Sequence, residues 1–216
     1  MTDNTPILVA DIGGTNARFS LADTDGKLIP ECPKVVATAD YDSLQDAANA
    51  YLETSTRPRP KLAAIAIAAF IAHDTIQMTN CPWTFKKSAL ATDLHVERVN
   101  ILNDFEAIAC ALPVLNDTDL QQIGGSEIDI TGNKVVIGPG TGVGVACLTP
   151  VGDGWKVITS EGGHISFAPV NDLEHDILRT VKKLYPRVSV ERIISGQGLS
   201  TLYQAFQLFR ENPHNN

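Results

Sequence analysis

Short apolar runs alternate with glycine-containing turns in the first thirty residues, a pattern that predicts β-strands. The apolar residues 7–10 lead into a glycine turn at residues 11–15, and an alternating pattern resumes at residues 17–21. A second turn is predicted at residues 23–26, where an Asp-Gly pair favours the positive φ angles of a tight hairpin. Residues 27–29 would then continue as a strand, so this region is predicted to be a meander of strands.

The next pattern has the period of an amphipathic helix and ends at the prolines of residues 57–60. Asp42 and Ser43 are candidate N-caps. The apolar positions, spaced i, i+3, i+4, i+7 and i+8, are Leu44, Ala47, Ala48, Tyr51 and Leu52.

Two further runs predict strands of a parallel sheet. Residues 62–68 are continuously apolar, as expected of a strand covered by helices on both faces. Residues 99–102 form a second run that ends at Asn103 and Asp104, before a helical stretch closed by Pro113. An α/β fold is therefore predicted, with an aspartate at the carboxyl ends of the first strand (Asp11) and of this last one (Asp104).

The second half repeats this layout without repeating the sequence. Strands are predicted at residues 134–138, 145–148 and 155–159, with glycine turns at 138–144 and 152–154. Helical spacing follows in two segments, one ending at Pro186 and one around residues 199–206. We expect a small domain at residues 1–113 and part of a larger domain at residues 114–216.

Composition and charge narrow the classes of function. With 216 residues, 44% hydrophobic and 19% charged, the chain can bury a sizeable core. A formal charge of −8 repels phosphate backbones and anionic membrane surfaces, so neither nucleic acid nor membrane is an expected partner. Four dispersed cysteines without a CxxC pair argue against a zinc site, and a start without a basic segment argues against export. A cytoplasmic location is predicted.

Two glycine turns are candidate phosphate-binding loops, because backbone N–H groups converge on an anion where no Cβ blocks the approach. The first comprises Asp11, Gly13, Gly14, Thr15 and Asn16, and by itself it fits a plain hairpin equally well. The second contains four alternating glycines, with Gly138, Gly140, Thr141 and Gly142 as its candidate binding residues. Its spacing matches neither the dinucleotide G-x-G-x-x-G pattern nor a Walker A loop.

Candidate chemistry also lies at two acidic positions. Asp104 begins a predicted helix, where an acid often only complements the helix dipole, yet at the end of a buried strand it can accept a hydroxyl proton. Glu161 and His164 flank two glycines, an arrangement that suits either adjacent hydroxyls of a polyol or an ordinary surface turn. The other histidines show no ligand spacing, which disfavours a metal site.

Six ordered sequence blocks carry a resemblance to a known family, the bacterial-type ATP-dependent glucokinases of the actin, hexokinase and Hsp70-like superfamily. The form Asp-Ile-Gly-Gly-Thr-Asn-Ala-Arg at the first turn is similar to this family rather than to the related repressor-type sugar kinases. The blocks are residues 8–19, 78–83, 103–105, 138–144, 161–164 and 191–196.

The resemblance implies a ribonuclease-H-like, actin-like ATPase architecture of two domains, the second incomplete. It implies that the two glycine turns hold the phosphates of ATP, with Asp11 near Mg²⁺. Asp104 would be the general base that accepts the proton of the glucose 6-hydroxyl. The implied glucose-binding residues are Asn103, Asp104, Glu161, His164 and Glu191. A homodimer is a candidate assembly.

The sequence departs from the pattern of the family in two places, and these departures leave alternative functions open. Residues 69–74 replace the family's usual Gly-Pro or Cys-Pro step and its Gly-Asp, and the chain has no counterpart of the family's adenosine-binding segment. The resemblance therefore covers the first two-thirds of a glucokinase. The alternatives are a non-catalytic sugar-binding or regulatory protein of the same fold and a kinase for another hexose such as mannose.

Overall fold

The chain forms two compact units in a computed structural model that describes residues 5–78, 81–125 and 129–211, with side chains as far as residue 208. The units are Met1–Ala107 and Ile108–Asn216. Their divide falls inside a helix, Asp104–Ala111, a few residues before the predicted limit at residue 113. That domain limit stays a prediction.

The first unit is built on a five-stranded sheet of order β3-β2-β1-β4-β7, with a separate hairpin formed by β5 and β6. Strand β1 pairs antiparallel with β2 and parallel with β4, and β4 pairs parallel with β7. The elements are β1 (Ile7–Ile12), β2 (Asn16–Ala22), β3 (Lys34–Ala37), α1 (Leu44–Glu53), β4 (Leu62–Ile67), β5 (Thr75–Gln77), β6 (Thr84–Lys86), α2 (Lys87–Asp93), β7 (Arg98–Asn103) and α3 (Asp104–Ala111).

The parallel strands align their carboxyl ends at one edge of this sheet. Ile12 of β1 lies opposite Ile67 of β4, and Ile67 lies opposite Asn103 of β7. The first glycine turn and the Asn103-Asp104 pair therefore emerge from the same edge, as the sequence pattern predicts.

The core of the first unit lies between this sheet and its helices. Helix α1 begins where Ser43 caps it, accepting a hydrogen bond from the Asp46 N–H at 3.1 Å. The ring of Tyr51 from α1 stacks on Phe19 of β2 with centroids 5.6 Å apart. All five apolar positions of the predicted helical stripe are buried.

Two expectations for the first unit were wrong in detail. Residues 27–29 form one isolated bridge, Leu28 with Ala22, and no strand. Pro30 and Pro33 follow and cannot donate to a ladder, so pairing resumes only at β3. In addition, β4 buries fully only its Ala63, Ile65 and Ile67 face, and the alternate residues are half-buried.

The second unit starts with an antiparallel meander of order β10-β9-β8, followed by three helices. Its helical core consists of Ile177, Val181, Val188, Ile193 and Ala205. These elements confirm the predicted strands and helices, although α4 ends well before Pro186. They are β8 (Lys134–Pro139), β9 (Val143–Val151), β10 (Gly154–Ser160), α4 (Asp172–Val181), α5 (Glu191–Ile194) and α6 (Gly196–Glu211).

One face of the second unit's sheet is apolar and open. Val135 of β8 and Ile158 of β10 both pair with Cys147 of β9, which places the three on one face. Val135, Ile137 and Ile158 are each more than half exposed. No helix in the described ranges has the length and apolar character needed to cross a membrane.

Candidate active site

The first glycine turn joins β1 to β2 and is held by hydrogen bonds within the turn and from Thr38. Gly13 donates its N–H to the Asn16 carbonyl at 2.9 Å. Thr38 donates its N–H to the Thr15 carbonyl at 3.0 Å and its hydroxyl to the Gly14 carbonyl at 2.8 Å. Among the residues that the structure describes, no acceptor pairs with the N–H of Gly14 or Thr15. Both groups are available to an anion.

Asp11 is held by a neighbour across the β1–β2 hairpin. The two strands place Arg18 directly opposite Asp11, and its guanidinium lies 2.8 Å from Asp11 Oδ2. Both side chains are about half exposed, so the pair contributes only about 0–1 kcal/mol to stability. The carboxylate can exchange this partner for a metal ion at little cost.

A capping box begins α3 and fixes the residues around Asp104. The Asn103 Oδ1 accepts from the Phe105 N–H at 3.0 Å, and Glu106 Oε2 accepts from the Asn103 N–H at 3.2 Å. The Asn103 Nδ2 donates to the Ala69 carbonyl at 3.3 Å. These hydrogen bonds fix the backbone on either side of Asp104, and they thereby set the position from which its side chain extends.

Asp104 is half-buried at the carboxyl end of β7. Burial raises the pKa of its carboxyl group, and the nearby negative charge of Asp11 raises it further. The Phe105 N–H, 2.9 Å from Asp104 Oδ1, opposes this change by favouring the charged form. A carboxylate whose pKa is raised is a stronger proton acceptor than an ordinary aspartate.

The loop after β4 is the segment that the sequence predicts to differ from the family it resembles. Phe70 is 67% exposed and packs edge-on against His73 with centroids 5.9 Å apart. Lys87 Nζ donates to the Ile71 carbonyl at 2.8 Å. Asp74 accepts from the Ser88 N–H at 2.9 Å, and hydrogen bonds from Ser88 lower the pKa of Asp74. The loop is thereby anchored to the start of α2.

The second glycine turn is shorter than the sequence pattern predicted. Gly138 lies within β8, paired with Gly144 of β9, so the turn itself consists of Gly140, Thr141 and Gly142. Gly140 donates to the Gly142 carbonyl at 2.8 Å. Across the described segments, the N–H groups of Thr141 and Gly142 have no acceptor.

Helices α5 and α6 support this turn from behind. The Gly196 N–H donates to the Gly140 carbonyl at 2.8 Å. Glu191 Oε2 accepts from the Val143 N–H at 3.0 Å, just after the turn. A Cβ on Gly142 would lie 2.5 Å from the same oxygen, so glycine is required while Glu191 holds this position.

The three predicted sugar-binding residues of the second unit form one polar row. His164 Nδ1 lies 3.2 Å from Glu161 Oε2, and His164 Nε2 lies 3.5 Å from Glu191 Oε1. Glu161 and His164 are exposed, whereas the Glu191 side chain is 28% exposed. Two carboxylates and an imidazole therefore offer acceptors and a donor to neighbouring hydroxyls.

Two glycines allow the turn between Glu161 and His164 to pack closely against β9. A Cβ on Gly163 would lie 2.1 Å from the Val143 carbonyl oxygen, and a Cβ on Gly162 would meet the Val145 side chain at 3.1 Å. The short 3₁₀ turn Gly162–His164 can approach the strand only because both positions lack side chains. The Glu-Gly-Gly-His motif thus has a packing reason as well as a chemical one.

The candidate residues are brought together within each unit. Thr79 and Asn80 of the second sequence block lie outside the described residues. Arg18, Thr38 and Glu106, which hold Asp11, the first turn and Asn103, were not predicted from the sequence as parts of the site. For Glu106 a signal exists, because Asn103 and Glu106 have the spacing of a capping box.

The sheet of the first unit and its turn define a class. An antiparallel meander continued by parallel strands, with a glycine turn after its first strand, is the arrangement of the actin-like ATPase fold. A glucokinase structure from an Antarctic psychrotroph superimposes with a TM-score of 0.84 and 38% identity, covering 95% of this chain and 65% of that one. A Balamuthia mandrillaris glucokinase in complex with glucose shares the fold, with a TM-score of 0.72, 22% identity and coverage of 99% and 65%.

The family follows from the sequence comparisons. The family model described as Glucokinase matches residues 8–215. The glucokinase of Marinobacter nauticus is 41% identical over 198 residues, which cover 92% of this chain and 61% of that protein. The chain belongs to the glucokinase family, and it spans about three-fifths of the length of such curated relatives.

Proposed function

We propose that the protein transfers the terminal phosphoryl group of ATP to the 6-hydroxyl of glucose, forming glucose 6-phosphate. One observation carries this proposal. Asp104 is half-buried, with a raised pKa, at the same sheet edge as a glycine turn that has two available N–H groups. A proton acceptor beside an anion-binding turn is what phosphoryl transfer to an alcohol requires.

In this proposal Asp104 accepts the proton of the attacking 6-hydroxyl. A positioned base of this kind contributes about 10²–10⁴-fold to the rate. Asn103, Glu161, His164 and Glu191 would bind the other hydroxyls. Each hydrogen bond to a charged partner contributes roughly 1.5–3 kcal/mol, so the site would reject a sugar that lacks the matching hydroxyl.

The phosphates of ATP would be held by backbone rather than by cationic side chains. The available N–H groups are those of Gly14 and Thr15 in the first unit and of Thr141 and Gly142 in the second. Because the chain carries a net charge of −8, such local binding is needed to overcome a repulsive overall field.

Asp11 is the residue proposed to bind Mg²⁺. This ion prefers oxygen ligands and is commonly held by one or two carboxylates together with substrate phosphates. Asp11 fits, since its carboxylate is half exposed and its partner Arg18 is replaceable. A bound Mg²⁺ would neutralise charge on the phosphates. A cytoplasmic location and a homodimer remain part of the proposal.

The substitution Asp104→Asn tests the base. The variant should keep glucose binding in calorimetry, because asparagine has the same shape, while kcat falls about 10²–10⁴-fold in an assay coupled to glucose 6-phosphate. Asp129→Asn is the matched control, since Asp129 is an exposed aspartate whose carboxylate, among the described residues, accepts hydrogen bonds only within its own turn. Unchanged turnover in Asp104→Asn would refute the assignment.

The same assay decides between the alternatives. A kinase for another hexose would turn over mannose faster than glucose, whereas a non-catalytic sugar-binding protein would bind glucose in calorimetry without forming a phosphorylated product. We expect glucose to give the highest kcat/KM.

A further inference from the structure

We propose that Glu191 blocks the second phosphate turn until a sugar hydroxyl draws it away, so that sugar binding prepares this turn for phosphate. The proposal rests on the proposed function, in which Glu191 binds sugar and the turn binds phosphate. It adds that one side chain couples the two events.

The first support is the position of the Glu191 carboxylate. Its Oε2 accepts from the Val143 N–H at 3.0 Å, which is the N–H group that immediately follows the turn. The same oxygen fills the space beside Gly142, where a Cβ would be 2.5 Å away. An internal anion therefore occupies the place at which an external anion would approach.

The second support is that the other oxygen of the carboxylate faces the sugar-binding row. Glu191 Oε1 lies 3.5 Å from His164 Nε2, and the side chain is partly open to solvent. A hydroxyl bound beside His164 would donate to Oε1 in a charge-assisted hydrogen bond and turn the carboxylate toward the sugar, away from the Val143 N–H.

The third support is that the backbone of the turn is fixed independently of Glu191. The Gly196 N–H holds the Gly140 carbonyl, and Gly140 closes on Gly142, both at 2.8 Å. A small rotation of the Glu191 side chain is therefore sufficient to free the Val143 N–H. Moving the negative charge away also removes a like-charge repulsion against phosphate.

Inorganic tripolyphosphate is the probe, because it tests the turn without requiring an adenosine site. Without sugar, we expect calorimetry to give affinities for Glu191→Gln and Glu191→Ala that are at least about fivefold higher than that of the unmodified chain. Asp153→Asn is the matched control for net charge. Asp153 lies at the other end of β9, about 27 Å from the turn, and its loss should change affinity by less than about twofold.

The unmodified chain gives a second readout that needs no variant. Saturating glucose should tighten tripolyphosphate binding and shift the Val143 amide resonance in ¹H–¹⁵N spectra. Equal sugar-free affinities in the unmodified chain and both Glu191 variants would overturn the proposal, as would an unmoved Val143 resonance on glucose binding. If glucose does not bind, the proposed function is wrong, while the sugar-free comparison still decides whether Glu191 blocks the turn.

Discussion

Asp104 and Asp129 have opposite pKa changes for physical reasons visible in their surroundings. Burial, followed by the charge of Asp11, raises the pKa of Asp104 above its ordinary value of 3.8. Hydrogen bonds from the hydroxyl and N–H of Thr131 lower the pKa of Asp129, which is fully exposed. The two aspartates therefore affect stability in opposite directions as the pH changes.

This difference predicts how Asp104→Asn alters stability. A raised pKa in the folded state stabilises the fold below the unfolded value of 3.8, and this contribution is lost as the pH rises through the folded value. Asparagine stays neutral and still accepts from the Phe105 N–H. We expect Asp104→Asn to raise Tm by about 1–3 °C at pH 7 and to have no effect below pH 3.8.

Asp129→Asn is the control of opposite sign in the same calorimetric series. A lowered pKa stabilises the fold above the unfolded value of 3.8 and loses that contribution as the pH falls through the folded value. The Tm of Asp129→Asn should therefore lie below that of the unmodified chain at pH 7 and equal it in acid. A decrease in Tm for Asp104→Asn at pH 7 would contradict the effect of burial on Asp104.

Single residues of the site were predictable to different degrees. Asp104 could be located because a strand pattern ends directly before it. The contact of Arg18 with Asp11 depends on hairpin register, and the contact of Glu191 with Val143 joins residues 48 positions apart. Neither contact can be recognised from a local sequence pattern, because both depend on how distant parts of the chain meet in the folded protein.

At the scale of elements, the glycines of the second unit determine how closely its segments pack. Gly163→Ala would force a Cβ to 2.1 Å from the Val143 carbonyl oxygen, so the turn Gly162–His164 must separate from β9. We expect a loss of stability of about 2–4 kcal/mol and weaker sugar binding, measured by denaturant unfolding and calorimetry.

Gly140→Ala is the matched control for that substitution. Gly140 also lies in a turn of the second unit, yet a Cβ there would have no heavy atom within 4 Å and its φ is not positive. Its free energy of unfolding should change by less than about 0.5 kcal/mol. Equal destabilisation by both substitutions would show that close packing at Gly163 is not the cause.

Elements with a clear repeat of apolar positions were predicted from the sequence, whereas very short elements were not. The α1 stripe and the parallel strand β4 follow from their apolar patterns. Strands β5 and β6 have three residues each, which is too few for alternation to be distinguished from chance. No strand forms at residues 27–29, because Pro30 and Pro33 prevent the pairing from continuing after the Asp-Gly turn.

At the scale of the molecule, the open apolar face of the second unit departs from an ordinary protein surface. Val135 and Ile158 lie on either side of Cys147, and both are more than half exposed. Contiguous exposed apolar surface binds hydrophobic dyes and promotes association. We expect the chain to bind the dye ANS, and Val135→Lys with Ile158→Lys to reduce that fluorescence at least about threefold.

Leu28→Lys is the control for this experiment. Leu28 is 60% exposed in the first unit, outside the sheet face, so its replacement should leave most of the dye signal unchanged. A dye signal that is insensitive to the double substitution would show that the sheet face is not the surface the dye binds.

The β9–β10 turn has a practical use that follows from its position. Gly152 adopts a left-handed conformation there, at the end of β9 opposite Gly140. A strand of this length separates the two ends by roughly 27 Å. An epitope or fluorophore tethered at residues 152–154 would report on the second unit's movements from outside its ligand-binding region.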